Sequence, residues 1–249
     1  MHPILVNIGP ITIYSYGFFV ASAVLLALWI AYREAKQRGL EYNLVPDLGF
    51  YLILGAILGA RLFYIILNIQ EFTSNPISII QFWKGGLVFF GGAIVSIAVG
   101  WGYLRWKQQP FWAWTDAFAP GIAAGQALGR VGCLMAGCCY GKPSQVPWAI
   151  TFKNPDSLAP LHIPLHPTQI YHSLAGLITF IALLILKPHL KKNGQLFSFF
   201  LIFYGGLRLT IEFFRGDFRD YFGLLSITQW GAIGMALFGL TILFYKRRT

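Results

Sequence analysis

The feature that most constrains this chain is a succession of seven apolar runs, at about 11–32, 46–67, 86–105, 111–133, 168–187, 195–214 and 226–245. A helix needs about 20 mostly apolar residues to cross the hydrocarbon core of a bilayer. Lipid offers no partner to backbone N–H and C=O groups, so runs of this kind are read as helices, which satisfy those groups internally. The expected fold is therefore an all-α integral membrane protein with about seven transmembrane helices. Composition agrees, with 56% hydrophobic and 11% charged residues, where a soluble domain has about 25% charged. That excludes an ordinary soluble enzyme, a disordered chain and a disulfide scaffold. The net charge of +10 does not make this a nucleic-acid binder, because the basic residues sit in short clusters between apolar runs rather than on one solvated face. Residues 1–10 hold no Lys or Arg and no small-residue cleavage site follows the first run, so a retained first helix is expected.

Charge arithmetic gives an orientation. The loops after runs 1, 3, 5 and 7 hold 11 basic residues: Arg33, Lys36, Arg38, Arg105, Lys107, Lys187, Lys191, Lys192, Lys246, Arg247 and Arg248. The opposite side holds 5: Lys84, Lys142, Lys153, Arg215 and Arg219. The positive-inside rule then puts the N-terminus outside and the C-terminus in the cytoplasm. The basic balance reflects this topology and attraction to anionic lipid head groups. No repeat or low-complexity tract divides the chain, so residues 1–249 are read as a single transmembrane domain with one long external loop at about 134–167. A loop of that length is usually functional or disordered, and Trp148–Phe152 within it reads as a short strand or an interfacial segment.

Function has to be sought in the few polar residues of the runs, since each charge there costs at least about 2.5–3.5 kcal/mol. Arg61 follows the small-residue run containing Gly55 and Gly59, which favours close helix contact. Arg130 follows Gly121, Gly125 and Gly129 at every fourth residue. Tyr204, Arg208 and Glu212 are spaced i, i+4, i+8 and share one helix face; Asp116 completes the set. One reading is a buried ion-pair network, for example Arg208 with Glu212. The other is an anion site: three arginines outnumber two carboxylates, and a guanidinium fork suits the phosphate oxygens of a lipid head group.

Cys133, Cys138 and Cys139 lack the paired CxxC spacing of structural zinc sites, so small half-buried cysteines are expected and no metal is assigned. His166 and His172 are either acid–base groups or hydrogen-bonded caps. Gly85-Gly86 and Gly91-Gly92 bracket LVFF at the start of the third run, which suggests an irregular helix start.

Several motifs then accumulate in order: Tyr16-Gly17, GARLFY (59–64), GGLVFFGG (85–92), Asp116 with Ala119-Pro120, GRVGC (129–133) with Gly137 through Gly141, HPTQIY (166–171) and YGGLRLTIEFFR (204–215). Together they resemble the bacterial prolipoprotein diacylglyceryl transferase family over nearly the whole chain. The resemblance implies a multi-pass enzyme of the bacterial cytoplasmic (inner) membrane, acting in lipoprotein biosynthesis. Such enzymes move the diacylglyceryl group of phosphatidylglycerol onto the lipobox cysteine of a preprolipoprotein signal peptide, leaving a thioether and glycerol phosphate, without metal or organic cofactor. By position, Arg130 resembles the family's phosphatidylglycerol-binding arginine and Arg208 its second essential arginine, while Tyr16, Tyr204, Gly141 and Glu212 also match. We add Arg61 to the expected lipid-binding residues.

Four positions depart from the pattern. Well-studied members have histidine where this chain has Phe90, commonly asparagine at Cys133, and a carboxylate at Cys138; a glutamate is common at His172. The anion-binding half of the site is thus intact and the proton-handling half altered. The base is then His166, His172, a tyrosine or water, and His172 is the favoured side chain. Two alternatives stay open: a paralogue using the same lipid with another acceptor, and a non-catalytic anionic-lipid-binding protein or anion carrier. A carrier should show inverted repeats, and none is evident.

Overall fold

The computed structural model describes residues 1–9, 11–74, 76–81 and 85–248; Lys84, counted above on the outer side, lies outside them. The described chain is predominantly helical. Seven helices of at least 18 residues coincide with the apolar runs: α1 (Ser15–Gln37), α2 (Val45–Leu67), α4 (Phe89–Trp106), α5 (Phe111–Ala136), α6 (Thr168–Leu186), α7 (Gln195–Glu212) and α8 (Ile227–Arg248). A six-residue helix α3 (Ile69–Ser74) follows α2. Four segments, Ser15–Gln37, Tyr42–Leu67, Thr168–His189 and Ile227–Lys246, are long and apolar enough to cross a membrane. Large apolar side chains on them face outward, among them Leu25, Leu58, Ile185 and Phe238, as a lipid-facing surface requires.

The short strand read at Trp148–Phe152 is present at Ile150–Thr151, while the strands flanking it in the chain were not foreseen. The start of the first run is not helix: β1 (Ile4–Ile8) and β2 (Ile11–Tyr14) pair antiparallel, with Val6 opposite Ile13. Within the long loop, β3 (Ile150–Thr151) pairs antiparallel with β4 (Pro164–Leu165), and Phe152 and Leu165 are both 1% exposed in a small core. A further pair, β5 (Tyr221–Phe222) with β6 (Leu225–Ser226), leads into α8.

The chain divides into two compact units, Ala35–Trp114 and the remainder, Met1–Glu34 with Thr115–Thr249. In the smaller unit, glycines carry the packing of α2 on α4. A Cβ at Gly59 would lie 2.5 Å from the Gly91 carbonyl oxygen, and one at Gly92 would lie 2.7 Å from that of Ala56. Ser96 Oγ donates to the Leu52 carbonyl across the same contact, at 2.9 Å. The α4 start is irregular, with φ of +94° at Gly85 and +73° at Gly86.

The larger unit uses the same device. Gly121 and Gly125 of α5 meet the carbonyls of Ala27 and Ala23 on α1, Gly176 of α6 meets Ala123 and Ala127, and Gly205 of α7 meets Ala232 of α8. Backbones approach this closely only where side chains are small, and in lipid such contacts replace the hydrophobic drive between helices. The stripe ending at Gly129 thereby fixes where Arg130 sits.

Candidate functional site

Tyr204 is the centre from which the site can be built. It is buried on α7, its ring stacked on Phe200 at 5.7 Å and 11°. Its hydroxyl donates to Gln126 Oε1 on α5 at 3.2 Å and accepts a long contact of 3.5 Å from Arg208 Nη1. Arg130, partly buried on α5, lies within electrostatic reach of Tyr204, Cys133, Cys139 and Arg215. It makes no hydrogen bond or ion pair with any described residue. A guanidinium carries five donors, and leaving them unpaired in a half-buried place is costly. Arg130 thus carries its donors free of the described protein groups.

Glu212 does not meet Arg208, although one turn of α7 separates them. It lies 3.2 Å from Arg219 Nε and accepts a short hydrogen bond from Thr228 Oγ1 of α8. Arg219 also approaches Asp217, at 3.3 Å, and Asp217 is gripped by the fork of Arg215 at 2.9 and 2.7 Å. Burial opposes the charge of Arg215, but the hydrogen bonds to Asp217 and the nearby Cys139 more than offset it and hold the guanidinium above its ordinary pKa. Arg215, 5% exposed, had been counted only as an outer-loop charge. The R-x-D spacing three residues after Glu212 was the one sequence signal for this network.

His172 of α6 is 1% exposed, and neither ring nitrogen has a hydrogen-bond partner among the described residues. Arg130, Arg208 and Arg215 all act on it. Buried as it is, it is not open to an incoming thiol. His166 has a partner, its Nδ1 lying 3.1 Å from Tyr171 Oη, which itself accepts from Trp148 Nε1 at 2.7 Å. Thr168 and Gln169, within the HPTQIY motif but given no role by the sequence reading, are fully buried. They donate to the carbonyls of Cys139 and Cys138, at 2.7 and 2.9 Å.

Gly141 is the crossing point of three strands of chain. Its N–H donates to the His166 carbonyl at 3.1 Å, Lys142 N–H to that of Phe214 at 2.9 Å, and Gly216 N–H to that of Tyr140 at 3.1 Å. A Cβ there would fall 2.5 Å from His166 Cβ and 2.8 Å from the Phe214 oxygen.

Tyr16, half-exposed on α1, feels the charges of Arg130 and of all three cysteines. It lines a cavity of about 700 Å³ together with Tyr14, Gly17, Ala136, Cys138 and Leu158. Although the spacing of the cysteines matched no zinc pattern, their three sulfurs meet within 4.8 Å of one another.

Two predicted charges are used structurally. Arg61, in the smaller unit, donates to the carbonyls of Ile79 at 3.0 Å, Gly85 at 2.9 Å and Gly86 at 3.2 Å, and to that of Ser78. Its guanidinium thus ties the carbonyls of residues 78, 79, 85 and 86 to α2 instead of standing free for a phosphate. Asp116 accepts from the N–H groups of Gly194 and Phe197, both at 2.8 Å. It caps α7, a contribution that lies in the orphan donors and dipole of a helix N-terminus.

Fold and site together define a helical membrane protein whose half-buried arginine, tyrosine and cysteine groups converge beside an apolar cavity. Comparison with known proteins narrows that class. The chain belongs to the prolipoprotein diacylglyceryl transferase family, whose model matches residues 3–245. It is similar to the phosphatidylglycerol–prolipoprotein diacylglyceryl transferase of Clostridium tetani, 34% identical over 242 residues that cover 97% of this chain and 96% of that protein. The protein of the same name from Trichormus variabilis is 35% identical over 259 residues, covering 99% and 91%. That from Bacillus licheniformis is 34% identical over 251 residues, covering 99% and 93%.

Proposed function

We propose that this chain transfers the diacylglyceryl group of phosphatidylglycerol to the lipobox cysteine thiol of preprolipoproteins. Family membership supports the reaction, and one observation carries the site: Arg130, half-buried, keeps all its donors free of the described protein groups. In this reading Arg130 and Arg208 grip the phosphate of the lipid. The acceptor sulfur attacks the glyceryl carbon, the carbon–oxygen bond breaks, and the electron pair leaves on the phosphate oxygen as glycerol phosphate. Guanidiniums set beforehand at that oxygen stabilise the growing charge in a low-dielectric site, and holding lipid and thiol in line supplies the rest. Tyr204 and Gln126 orient Arg208, Tyr16 borders the cavity, and Glu212 acts through Arg219 on the outer loop. Gly141 and Arg61 contribute by holding backbone segments.

The same proposal takes the chain as one transferase domain of seven crossings in the bacterial inner membrane, N-terminus outside. The excess of Lys and Arg in alternate loops supports that orientation. The test is a transfer assay with purified protein, phosphatidylglycerol and a lipobox peptide, following the mass of the peptide cysteine. A gain of one diacylglyceryl group is expected. Arg130→Lys keeps the charge but loses the fork, and should lower kcat/KM about tenfold to a hundredfold, as for hydrogen bonds to a charged group. Near-wild-type activity in Arg130→Lys would remove the bidentate phosphate role. No transfer despite retained lipid binding would point to another acceptor.

A further inference from the structure

The acceptor cysteine must shed its proton to attack, because the thiolate and not the thiol is the nucleophile. His172 is 1% exposed and closed to that proton, Nδ1 of His166 is engaged with Tyr171, and Phe90 has nothing to titrate. A sulfur cluster at the end of α5 is open to it. Gly137, with φ of +79°, turns the chain back after Ala136, its N–H bonded to the Cys133 carbonyl at 2.9 Å. Cys139 then takes φ of +60°, a left-handed backbone that a non-glycine residue keeps only where its surroundings impose it. Gln169 and Thr168, both fully buried, impose it by donating to the carbonyls of Cys138 and Cys139 at 2.9 and 2.7 Å. In consequence the sulfurs of Cys133, Cys138 and Cys139 gather within 4.8 Å of one another.

The three are not equivalent. Cys138 lines the cavity of about 700 Å³ beside Tyr16, and its Sγ has the Cys133 carbonyl oxygen as an acceptor at 3.8 Å. The neighbouring thiols and burial push it above its ordinary pKa, so it is a thiol. Cys139 is the opposite case. Hydrogen bonds from the other two thiols, with the Arg215 and Arg130 guanidiniums, outweigh burial and hold it below its ordinary pKa. Arg215, 5% exposed, is near enough to bond that sulfur. His172 on α6 and Tyr16 on α1 also act on Cys139, and Asp156 lines the same cavity. Held below the usual value of about 8.5, Cys139 stays charged at neutral pH, where a general base is most useful.

We propose that Cys138 accepts the proton of the acceptor thiol and passes its own to Cys139. This rests on the transferase reading given above. The acceptor S–H bond breaks as an S–H bond forms at Cys138, and the proton that Cys138 held moves to the Cys139 thiolate. The freed acceptor sulfur forms the bond to the glyceryl carbon, and the pair in the carbon–oxygen bond leaves on phosphate. The Cys139 proton then returns through Cys138 to water in the cavity, which restores the thiolate. No electron is gained or lost. Cys138 is the catalytic residue of this step, and Cys139, set behind it, acts through it.

The first measurement is the infrared S–H stretch of the full-length protein in detergent, which counts thiols directly. Two S–H oscillators are expected from the three cysteines at pH 7, and Cys139→Ser should still show two. The second is the pH profile of transfer to a lipobox peptide at saturating phosphatidylglycerol. In the parent, kcat/KM for the peptide should be flat from about pH 6 to 8, below the ionisation of a free thiol. In Cys138→Ser and Cys139→Ser the acceptor has to ionise unaided. Their kcat/KM should be about tenfold to a hundredfold lower at pH 7, following the few per cent of a free thiol ionised there, and should climb about tenfold per pH unit toward 8.5. Cys139→Asp, which restores an anion without a sulfur, should bring back the flat profile.

Three S–H oscillators in the parent at pH 7 would overturn the thiolate, as would a disulfide among the cysteines of active enzyme. Parental rate and a flat profile in Cys139→Ser would overturn the proton role and leave the transferase reading standing. A uniform loss at every pH, without the steeper slope, would reduce the cluster to a structural joint and overturn the role as well. Failure of the parent to transfer, with two S–H oscillators present, would instead sink the transferase reading, and the use of the thiolate with it.

Discussion

Glu212 lies 3.2 Å from Arg219 Nε, while Arg208, one turn earlier on α7, has the hydroxyl of Tyr204 as its hydrogen-bond partner among the described residues. The carboxylate is almost fully buried and Arg219 about one-fifth exposed, so the pair is a partly screened one. Removing a single partner of a buried pair costs about 3–5 kcal/mol, and exposure of Arg219 reduces that to about 1–3 kcal/mol here. Glu212→Gln and Arg219→Gln should therefore lower thermal stability in detergent by similar amounts, with the double variant less affected than the sum. Transfer activity should fall in parallel for both. If Glu212→Gln abolished transfer while Arg219→Gln left it intact, Glu212 would be acting on Arg208 or on substrate.

Asp116 illustrates a charge within a long apolar helix that serves the fold. Its two oxygens take the N–H groups of Gly194 and Phe197 at the head of α7, the helix that carries Tyr204 and Arg208. Asp116→Ala should cost about 0.5–2 kcal/mol, the range for a lost helix cap, and Asp116→Asn less because one acceptor oxygen remains. The measurement is thermal inactivation alongside the phosphatidylglycerol affinity of the protein that stays folded. That affinity should be unchanged, and a selective loss of lipid binding would contradict the capping role.

The helices were legible because each is a long apolar run, and α6 and α7 begin where the sequence reading put them. Their glycine faces were legible too, since small residues at every fourth position have one common use in lipid. The β1–β2 pair was not, because Ile11–Tyr14 is as apolar as the helix it adjoins, and hydrophobicity alone does not separate a short strand from a helix start. Among the charges, a one-sequence reading sees which residues are expensive but not which partner each finds. Arg61 turned out to bind carbonyls 17 to 25 residues away, and Asp116 bonds 78 and 81 residues away. The cysteine cluster was hidden for another reason. Its spacing along the chain says little, because Gly137 and Cys139 both take positive φ.

His172 offers a direct check on proton handling. The ring is buried with both nitrogens unpaired among the described residues, and each unsatisfied buried polar group costs about 1–3 kcal/mol. His172→Phe keeps the ring and removes those groups, so the variant should be at least as stable as the parent. Turnover at saturating lipid should stay within about threefold, less than the factor general acid–base catalysis normally supplies. A drop of several hundredfold with unchanged lipid affinity would restore His172 as the base.

Gly141 tests whether a position matched to lipid binding acts through the lipid or through the backbone. A methyl group there meets His166 Cβ and the His166 oxygen, both at 2.5 Å, and the neighbours are backbone that has no room to yield. Overpacking of this kind costs about 1–3 kcal/mol, so Gly141→Ala should unfold at lower temperature and lose transfer together with stability. Gly216→Ala probes the same joint from the other side, since its Cβ would lie 2.4 Å from the Gly141 oxygen, and should behave alike. Gly129→Ala, whose new methyl finds only Ala23 Cβ at 3.8 Å, should be tolerated and slightly stabilising, because alanine is the better helix former. If Gly141→Ala melted like the parent and still failed to transfer, while Gly216→Ala remained active, the joint would not explain the position. Gly141 would then lie against the lipid itself.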